Sequence, residues 1–279
     1  MEAIFINLRI HKNKNSKVKG KHVFDADIAG CFDNIDHAYL LGQLQTSPQI
    51  KRQVHACLKA GVMEGFQNNK AHVSYENRGT PQGGPLSPLL SNIALHGLEN
   101  HLKQWVENQN LKHIGLKSRR DKRASLGVVR YAGDFVVLHK DKKVIHDAKT
   151  ETELWFAKTS KLSLSNAKTR IRYTKEGGFY FLGWQFIHLK RSGTYYTCIA
   201  PSKKAQKQIL FRVREIIQSH RASSAYVLIE KLKPVLIGWC NYHKHVQSSD
   251  AFSNLDHQVL QTTPLGFPSS RPRSKGTKK

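Results

Sequence analysis

The chain has 279 residues, of which 39% are hydrophobic, so it is long enough for one large domain or two ordinary domains with a real core. Its 45 Lys and Arg residues outnumber 20 Asp and Glu residues, and the net charge of +25 predicts a polyanionic partner. Nucleic acid is the commonest such partner, with an anionic membrane surface or a ribosomal setting as the alternatives. No apolar run approaches membrane-spanning length, and no pair of the four cysteines has metal-ligand or redox spacing.

The first part of the chain shows the patterns of a mixed α and β fold. Residues 1–22 are basic and polar, and alternating apolar side chains then predict a strand over 23–28, with Asp27 at its end. The elements predicted after this strand are, in chain order, a helix through 39–41, a helix over 48–60, a hairpin over 62–76, a loop over 79–85, one long helix over 86–105, a loop over 111–123, a hairpin over 128–138, a helix over 141–158, and strands near 170–174, 179–187 and 194–199.

Beyond Pro201 the pattern becomes helical and strongly basic. Ser202 is a plausible N-cap for an amphipathic helix with an apolar face and several cations on its other faces. A second helical stretch is predicted over 223–247, interrupted near Pro234. The last residues are rich in Pro, Ser, Gly and Lys, so we expect them to be disordered.

Two aspartates lie where predicted strands end. Asp27 closes the first strand, and Asp134 follows the turn between the apolar runs 128–129 and 135–138. Two-metal phosphoryl transfer needs carboxylates from different strands that converge on paired cations. An aspartate at a strand end or in a turn is more often structural than catalytic, so the pair becomes informative only through its surroundings.

Six strings of the sequence surround or follow these aspartates. They are DADIAGCFDNIDH at 25–37, GTPQGGPLSPLLSN at 79–92, YAGD at 131–134, KT at 168–169, FLGW at 181–184 and GWCNY at 238–242. In this order they resemble the group II intron reverse transcriptase/maturases. The second string is long and specific, and the resemblance covers roughly residues 20–257.

The resemblance implies an α+β fold. Residues 23–195 would form a right-hand polymerase palm with the fingers largely missing, and 200–257 a small helical thumb-like maturase module, domain X. Residues 1–22 would be a basic N-terminal remnant, and residues 258–279 a disordered basic tail.

The resemblance also implies site residues. Asp27 and Asp134 would be catalytic and, with Ile28, would hold a two-metal Mg²⁺ site. Phe32 would lie under the sugar and disfavour a ribose 2′-hydroxyl, although a core phenylalanine is an equal alternative from the residue alone. The nucleotide-binding residues would be Phe32, Gln82 and Lys168.

Two basic stretches, residues 112–130 and 203–233, predict RNA binding whose affinity falls steeply with salt. The candidate RNA-binding residues are Arg119, Arg120, Lys122, Arg123, Lys203, Lys204, Lys207, Arg212 and Arg214. Trp239, Tyr242 and His243 could stack on unpaired bases, or could instead pack within the helical module.

The family tetrapeptide of the hairpin is aromatic-Ala-Asp-Asp, and Gly133 stands here at its third position. The loss of that carboxylate predicts impaired polymerase chemistry. Four hypotheses follow: an active RNA-directed DNA polymerase that uses deoxynucleotides and an RNA–DNA primer-template, a non-catalytic RNA-binding splicing factor for a group II intron, a decayed remnant, and an unrelated basic binding module.

The cell compartment is predicted from the cysteines and the N-terminus. The cysteines are expected to be buried reduced thiols, and the first residues are too short and wrongly charged for a signal peptide. We therefore expect a bacterial cytoplasm or an organellar matrix, with no membrane partner.

Overall fold

The computed structural model describes residues 20–60, 62–67, 70–74, 78–80 and 86–262, without the side chains of 62–67 and 70–74. The chain divides into two compact units. The first unit comprises the described residues up to Phe181 together with Phe186–Thr197. The second unit comprises Leu182–Gln185 and the described residues from Cys198 onwards.

A four-stranded antiparallel sheet forms the centre of the first unit. Its strands are β1 (His22–Asp27), β4 (Gly127–Tyr131), β5 (Asp134–His139) and β6 (Arg170–Tyr173), in the order β4-β5-β1-β6. Since β1 lies between β5 and β6, its apolar side chains are buried, and the rings of Phe24 and Phe135 meet edge to face. The predicted first strand and the predicted 128–138 hairpin are both present.

Helices pack their apolar faces against this sheet. The remaining elements of this part are α1 (His37–Gln43), α2 (Pro48–Lys59), the paired strands β2 (Val62–Gln67) and β3 (Lys70–Ser74), α3 (Ser87–Ala94), α4 (Leu98–Glu107), a 3₁₀ turn at Lys112–Ile114, α5 (Arg119–Ser125) and α6 (Lys142–Lys158). Leu40, Leu98, Leu102 and Phe156 are fully buried in the shared core. The hairpin predicted over 62–76 is present as β2 and β3.

Two predictions for this region are wrong. The single helix expected over 86–105 is two helices, because Gly97 takes a left-handed conformation, φ 98°, immediately before α4. The apolar spacing continues through this break, so periodicity alone does not reveal it. The loop expected over 111–123 contains the 3₁₀ turn and α5, which begins after the N-cap Ser118.

A three-stranded sheet follows, with β7 (Phe179–Phe181), β8 (Trp184–Arg191) and β9 (Thr194–Pro201) in sequence order. The one strand predicted over 179–187 is therefore divided between β7 and β8. The division falls at Leu182 and Gly183, whose φ angles are 48° and 81°. Such positive φ values turn the chain and cannot continue a strand.

The second unit is mainly helical. It contains α7 (Lys203–Ser219), α8 (Ala225–His243) and α9 (Ser249–Thr262), and its core is formed by Ile209, Val213, Ile216, Ile217, Leu228, Leu232 and Leu255. Ser202 caps α7 as predicted, because its hydroxyl accepts a hydrogen bond from the Ala205 amide at 3.1 Å. Pro234 lies inside α8 and does not interrupt it. Helix α9 continues to Thr262, so the prediction of a disordered tail from residue 258 is wrong for residues 258–262.

Four aromatic residues, Trp184, Trp239, Tyr242 and His243, form what we call the His243 cluster. The indole Nε1 of Trp184 donates to Nδ1 of the buried His243 at 2.6 Å, and the Trp184 and Tyr242 rings stack with centroids 4.7 Å apart. The ring of Trp239 lies 4.5 Å from that of His243. Packing, the alternative to base stacking in the sequence, is therefore the role that the structure gives His243 and Trp239.

The burial of the cysteine thiols and the apolarity of the helices test two further predictions from the sequence. All four cysteines are free thiols, but only Cys31 is buried, so the expectation of four buried thiols is wrong. No helix in the described part of the chain has both the length and the apolarity needed to cross a bilayer.

Candidate active site

The sheet brings Asp27 and Asp134 together. They are cross-strand partners at the end of the β1–β5 ladder, where Asp27 faces Asp134 and the next pair is Ala26 with Phe135. Directly opposed residues of an antiparallel pair have Cβ atoms roughly 4.5–5.5 Å apart. Two residues that are distant in the sequence therefore lie side by side at one end of the two central strands.

The two carboxylates influence each other. Partial burial raises the pKa of Asp134, and the charge and hydrogen bond of Asp27 raise that pKa further, while Lys168 lowers it. The ionised carboxylates of these two neighbouring aspartates repel one another, and both would stabilise a cation bound between them.

Lys168 is the cation that the structure places there. Its Nζ lies 2.7 Å from Oδ2 of Asp27, and this contact raises the pKa of the Lys168 ammonium. The segment that carries it is held by the strand end, since the Ser165 amide donates to the Asp27 carbonyl at 2.8 Å and the Lys168 amide donates to the Ser165 carbonyl. Lys168 therefore belongs to the same site as Asp27, although its side chain is largely exposed.

The main chain at Ile28 directs its carbonyl to the hairpin side. Ile28 forms a bridge with Leu164, but the two hydrogen bonds of that bridge come from its neighbours, Ala29 to Ser163 and Ser165 to Asp27. Carbonyls alternate between the two edges of an extended segment, so the Ile28 carbonyl points to the edge opposite Leu164. That edge is the one on which β1 pairs with β5.

The hairpin turn consists of Ala132 and Gly133, between the paired residues Tyr131 and Asp134. Its left-handed φ, 51°, belongs to Ala132 and not to Gly133. A Cβ on Gly133 would lie 3.2 Å from the Cβ and 3.5 Å from the Sγ of Cys31. Gly133 is therefore favoured here by close packing on Cys31, and the hairpin forms without the carboxylate that the family motif has at this position.

The turn after β1 is joined to the start of the 79–92 motif. The Gly79 amide donates to the Ile35 carbonyl at 2.9 Å, the Thr80 amide donates to the Phe32 carbonyl, and His37 Nε2 donates to the Gly79 carbonyl at 2.6 Å. Gly79 has φ +84°, and a Cβ there would lie 2.6 Å from the Asp33 carbonyl oxygen. These contacts require glycine at 79 and hold the partly buried Phe32 beside the motif. Gln82, predicted to bind nucleotide, lies outside the described residues.

The oxygen donors suit Mg²⁺, which binds proteins through one or two carboxylates together with substrate phosphates. Asp27, Asp134 and the Ile28 carbonyl form such a set. Within the described residues no group of three or more His, Cys, Asp or Glu side chains could hold a metal ion. These three oxygens are what the described residues offer to a divalent cation, and Gly133 stands where the family motif has a further carboxylate.

Asp25 is a site residue that the sequence reasoning missed. It lies two positions before Asp27, and since strand side chains alternate, both point to the same face of the sheet. Burial raises the pKa of Asp25, Arg172 lowers it and Asp134 raises it, and the net result is about 6. The Asp-x-Asp spacing at 25–27 was the available signal.

The candidate RNA-binding residues differ in their contacts. Lys122 Nζ donates to the carbonyls of Glu107 and Gln109, and Arg123 forms an ion pair with Glu107 at 2.8 Å, so both hold the end of α4. Arg212 pairs with Glu215 on the surface of α7. The remaining candidates are exposed, and they are Arg119, Arg120, Lys203, Lys204, Lys207 and Arg214.

Comparison with known families places these features in context. The model for "Reverse transcriptase (RNA-dependent DNA polymerase)" matches residues 2–186, and that for "Group II intron, maturase-specific domain" matches residues 206–262. The second match ends where α9 ends, at residue 262.

Three curated proteins are similar to the chain. The group II intron-encoded protein LtrA of Lactococcus lactis is 30% identical over 234 aligned positions, and the match covers 67% of this chain and 37% of LtrA. Protein YkfC of Escherichia coli is 27% identical, over 63% of this chain and 49% of its own length. An uncharacterized 91 kDa protein in the cob intron of Schizosaccharomyces pombe is 22% identical, over 86% and 37%. The chain thus spans between about a third and a half of these relatives.

Two solved structures share the fold. Telomerase from Candida albicans, in complex with a fragment of telomeric RNA, gives a TM-score of 0.52 at 11% identity over 94% of this chain and 47% of that chain. Apo telomerase from Candida tropicalis gives a TM-score of 0.51 at 13% identity over 94% and 49%. At this identity the likeness supports the fold alone.

Proposed function

Since the chain belongs to the group II intron reverse transcriptase/maturase family, we propose that it binds group II intron RNA and that its RNA-directed DNA polymerase chemistry is impaired. The observation that carries the proposal is the pairing of Asp27 with Asp134 at a turn whose other family carboxylate is Gly133. This pairing supports a site that keeps the family's pair of strand-end aspartates and has one carboxylate fewer.

The residues of the site have separate tasks in this proposal. Asp27 and Asp134 would share Mg²⁺ with the Ile28 carbonyl. When bound, Mg²⁺ would lower the pKa of the primer hydroxyl and neutralise charge on the leaving pyrophosphate. Phe32 would lie under the incoming deoxynucleotide sugar. Lys168 would leave Asp27 for the triphosphate, where its ammonium could donate a proton to the pyrophosphate or neutralise part of its charge. Gln82 is proposed as a further contact with the nucleotide.

Two features weaken this site. Gly133 removes a full negative charge from a site that must hold divalent cations, and such electrostatic contributions amount to several kcal/mol in enzymes. Asp27 is also paired with Lys168, whose charge competes with a metal for the same oxygen. At about 1.4 kcal/mol per decade of rate, a loss of about 10³-fold or more in polymerisation is expected.

RNA binding does not depend on that charge. The net charge is +25, and Lys203, Lys204, Lys207 and Arg214 lie exposed on one helix of the second unit, with Arg119 and Arg120 exposed on α5. Each phosphate contact releases counterions, so the affinity should fall steeply with salt. A bacterial cytoplasm or an organellar matrix is the proposed compartment, with an RNA–DNA primer-template as the partner wherever polymerisation survives.

The test measures binding and polymerisation on the same preparations. We expect the parent chain and Asp27→Ala to bind a structured intron RNA equally, and both to extend a primer on an RNA template with Mg²⁺ poorly or not at all. Robust extension by the parent that Asp27→Ala abolishes would show an active polymerase instead. Failure of both proteins to bind RNA would overturn the proposal and favour a decayed remnant.

Splicing distinguishes two kinds of RNA binding. If the chain acts as a maturase, it should accelerate splicing of a cognate group II intron, and Asp27→Ala should leave that acceleration unchanged. A loss of acceleration in Asp27→Ala, with intact RNA binding, would place Asp27 in the splicing function and contradict the division proposed here.

A further inference from the structure

A cavity of about 500 Å³ lies on the flank of the hairpin, outside the residues assigned above. Ligand pockets occupy roughly 300–1,000 Å³, so this volume is sufficient for a nucleotide-sized group. Its walls come from the end of α1 and the loop after it, from α3, and from β4. The polar side chains that line it are Gln43, Gln45, Thr46, Asn92, His96 and Arg130.

The charge of this cavity has one sign. Its described lining contains the guanidinium of Arg130 and an imidazole but no carboxylate. Within the described residues Arg130 forms no ion pair, and its acceptors are the neutral Oδ1 of Asn92 at 2.7 Å and the Ala132 carbonyl at 3.4 Å. Partial burial lowers the pKa of Arg130, against the weaker raising effects of Cys31 and Glu99. A partly desolvated cation whose hydrogen-bond acceptors are neutral is stabilised by an anion that enters its cavity.

The hydrogen bonds also orient the donors. A guanidinium only donates, so Asn92 turns its oxygen toward Arg130 and keeps its amide NH₂ for another partner. Arg130 has five N–H donors, and the two contacts above involve only Nη1. The remaining donors match the geometry of a phosphate group, which arginine binds in a bidentate manner.

We propose that this cavity binds a phosphate group of a nucleic-acid strand or of a nucleotide, with Arg130 as the charged contact and Asn92 as the residue that positions it. The inference extends the proposed RNA binding to a second place in the first unit. Because Arg130 also donates to the Ala132 carbonyl, an occupied cavity would hold the turn that precedes Asp134.

The test compares two variants of the full chain with the parent. Arg130→Gln removes the charge, and Asn92→Asp keeps the shape while giving Arg130 a carboxylate partner that neutralises the cavity. Each should weaken binding of a twelve-nucleotide single-stranded RNA, measured by fluorescence anisotropy, by about 10- to 100-fold, the change expected for one charge-assisted hydrogen bond. Arg191→Gln removes the same charge from an exposed position outside the cavity and should change the affinity less than threefold.

Adenosine 5′-monophosphate separates the two sources of phosphate, with adenosine as the control that lacks the group. Competition by the monophosphate but not by adenosine assigns the cavity to nucleotides, whereas variant-sensitive RNA binding without such competition assigns it to the strand backbone. The inference is overturned if both cavity variants bind RNA and the monophosphate as the parent does, with unchanged thermal unfolding. If the parent binds no RNA, the proposed function fails, and the monophosphate titration still decides the cavity.

Discussion

The strand ends that carry Asp27 and Asp134 and the His243 cluster of the second unit use polar groups in opposite ways. At the strand ends, like charges lie side by side near solvent, and the pKa of Asp134 is raised by burial and by its neighbour. In the His243 cluster, a buried imidazole is satisfied by one indole N–H and enclosed by aromatic rings. The first arrangement costs stability, and the second contributes to it.

This difference explains how the chain tolerates Gly133. The β4–β5 ladder is formed by backbone hydrogen bonds and by buried residues such as Phe135 and Val137, none of which needs a carboxylate in the turn. Removing a site carboxylate therefore removes charge without removing structure. Removing a donor from the His243 cluster would leave a buried acceptor unpaired, which a folded core tolerates poorly.

The largest expected effect is a gain of activity in Gly133→Asp. If charge is what the site lacks, this variant should extend a primer on RNA roughly 10³-fold faster than the parent, by the same electrostatic reasoning. Its new Cβ would lie 3.2 Å from that of Cys31, so the Cys31 side chain must shift by a few tenths of an ångström to admit it. Gly133→Asn, which has the shape without the charge, is the matched control. An equal rate in all of these proteins would place the defect elsewhere.

The second effect concerns the stability of the second unit. Trp184→Phe removes the N–H that His243 Nδ1 accepts, and an unpaired buried acceptor costs about 1–3 kcal/mol in the free energy of unfolding. Urea denaturation followed by circular dichroism measures it. Tyr226→Phe, at an exposed position on α8, should change the free energy by less than about 0.5 kcal/mol. If both variants unfold alike, the hydrogen bond does not stabilise the cluster.

A third prediction tests whether the strand ends cost stability. The folded pKa of Asp25 is about 6 against an ordinary 3.8, so the folded state binds this proton more tightly than the unfolded state. The Asp25 carboxyl therefore stabilises the folded state fully below about pH 4, and this contribution is lost as the pH rises toward 6. Since Asp25 is partly exposed, Asp25→Asn should be more stable than the parent by roughly 1–2 kcal/mol at pH 7.

The measurement for Asp25 is the difference between parent and variant in urea unfolding from pH 4 to pH 7. Burial lowers the pKa of His139 and of His188 to about 4, so these two histidines make the folded state less stable as the pH falls. Their effect opposes that of Asp25. Only the difference between the two proteins isolates Asp25. A difference that does not change over this range would contradict the raised pKa.

The smallest effects concern RNA affinity. Changing Lys203, Lys204 and Lys207 together to Gln should reduce the slope of log affinity against log salt by about 2, if each contacts one phosphate of a single strand. The variant pair Lys122→Gln and Arg123→Gln should instead lower stability, because these side chains hold the end of α4. An equal change of salt slope in both sets would show that exposure does not separate RNA contacts from structural contacts.

Local patterns in the sequence were sufficient for most of the elements. The apolar alternation before Asp27, the Ser202 cap and the helical spacing beyond it all report on neighbouring residues, and each corresponds to an observed element. The motif strings likewise identified the family and the pair of aspartates. Patterns of this kind work because the backbone conformation of a short segment depends mainly on its own side chains.

Contacts between distant segments were decided by the tertiary structure. The Lys168–Asp27 ion pair, the Cys31 side chain behind Gly133 and the engagement of Lys122 and Arg123 all depend on which elements pack together. The break at Gly97 belongs here too, because the apolar spacing passes through it unchanged. The spacing of a residue in the sequence predicts the face of the helix or strand on which its side chain lies. Its charge, however, acts on any group that lies within a few ångströms. Packing of the whole core decides which group that is.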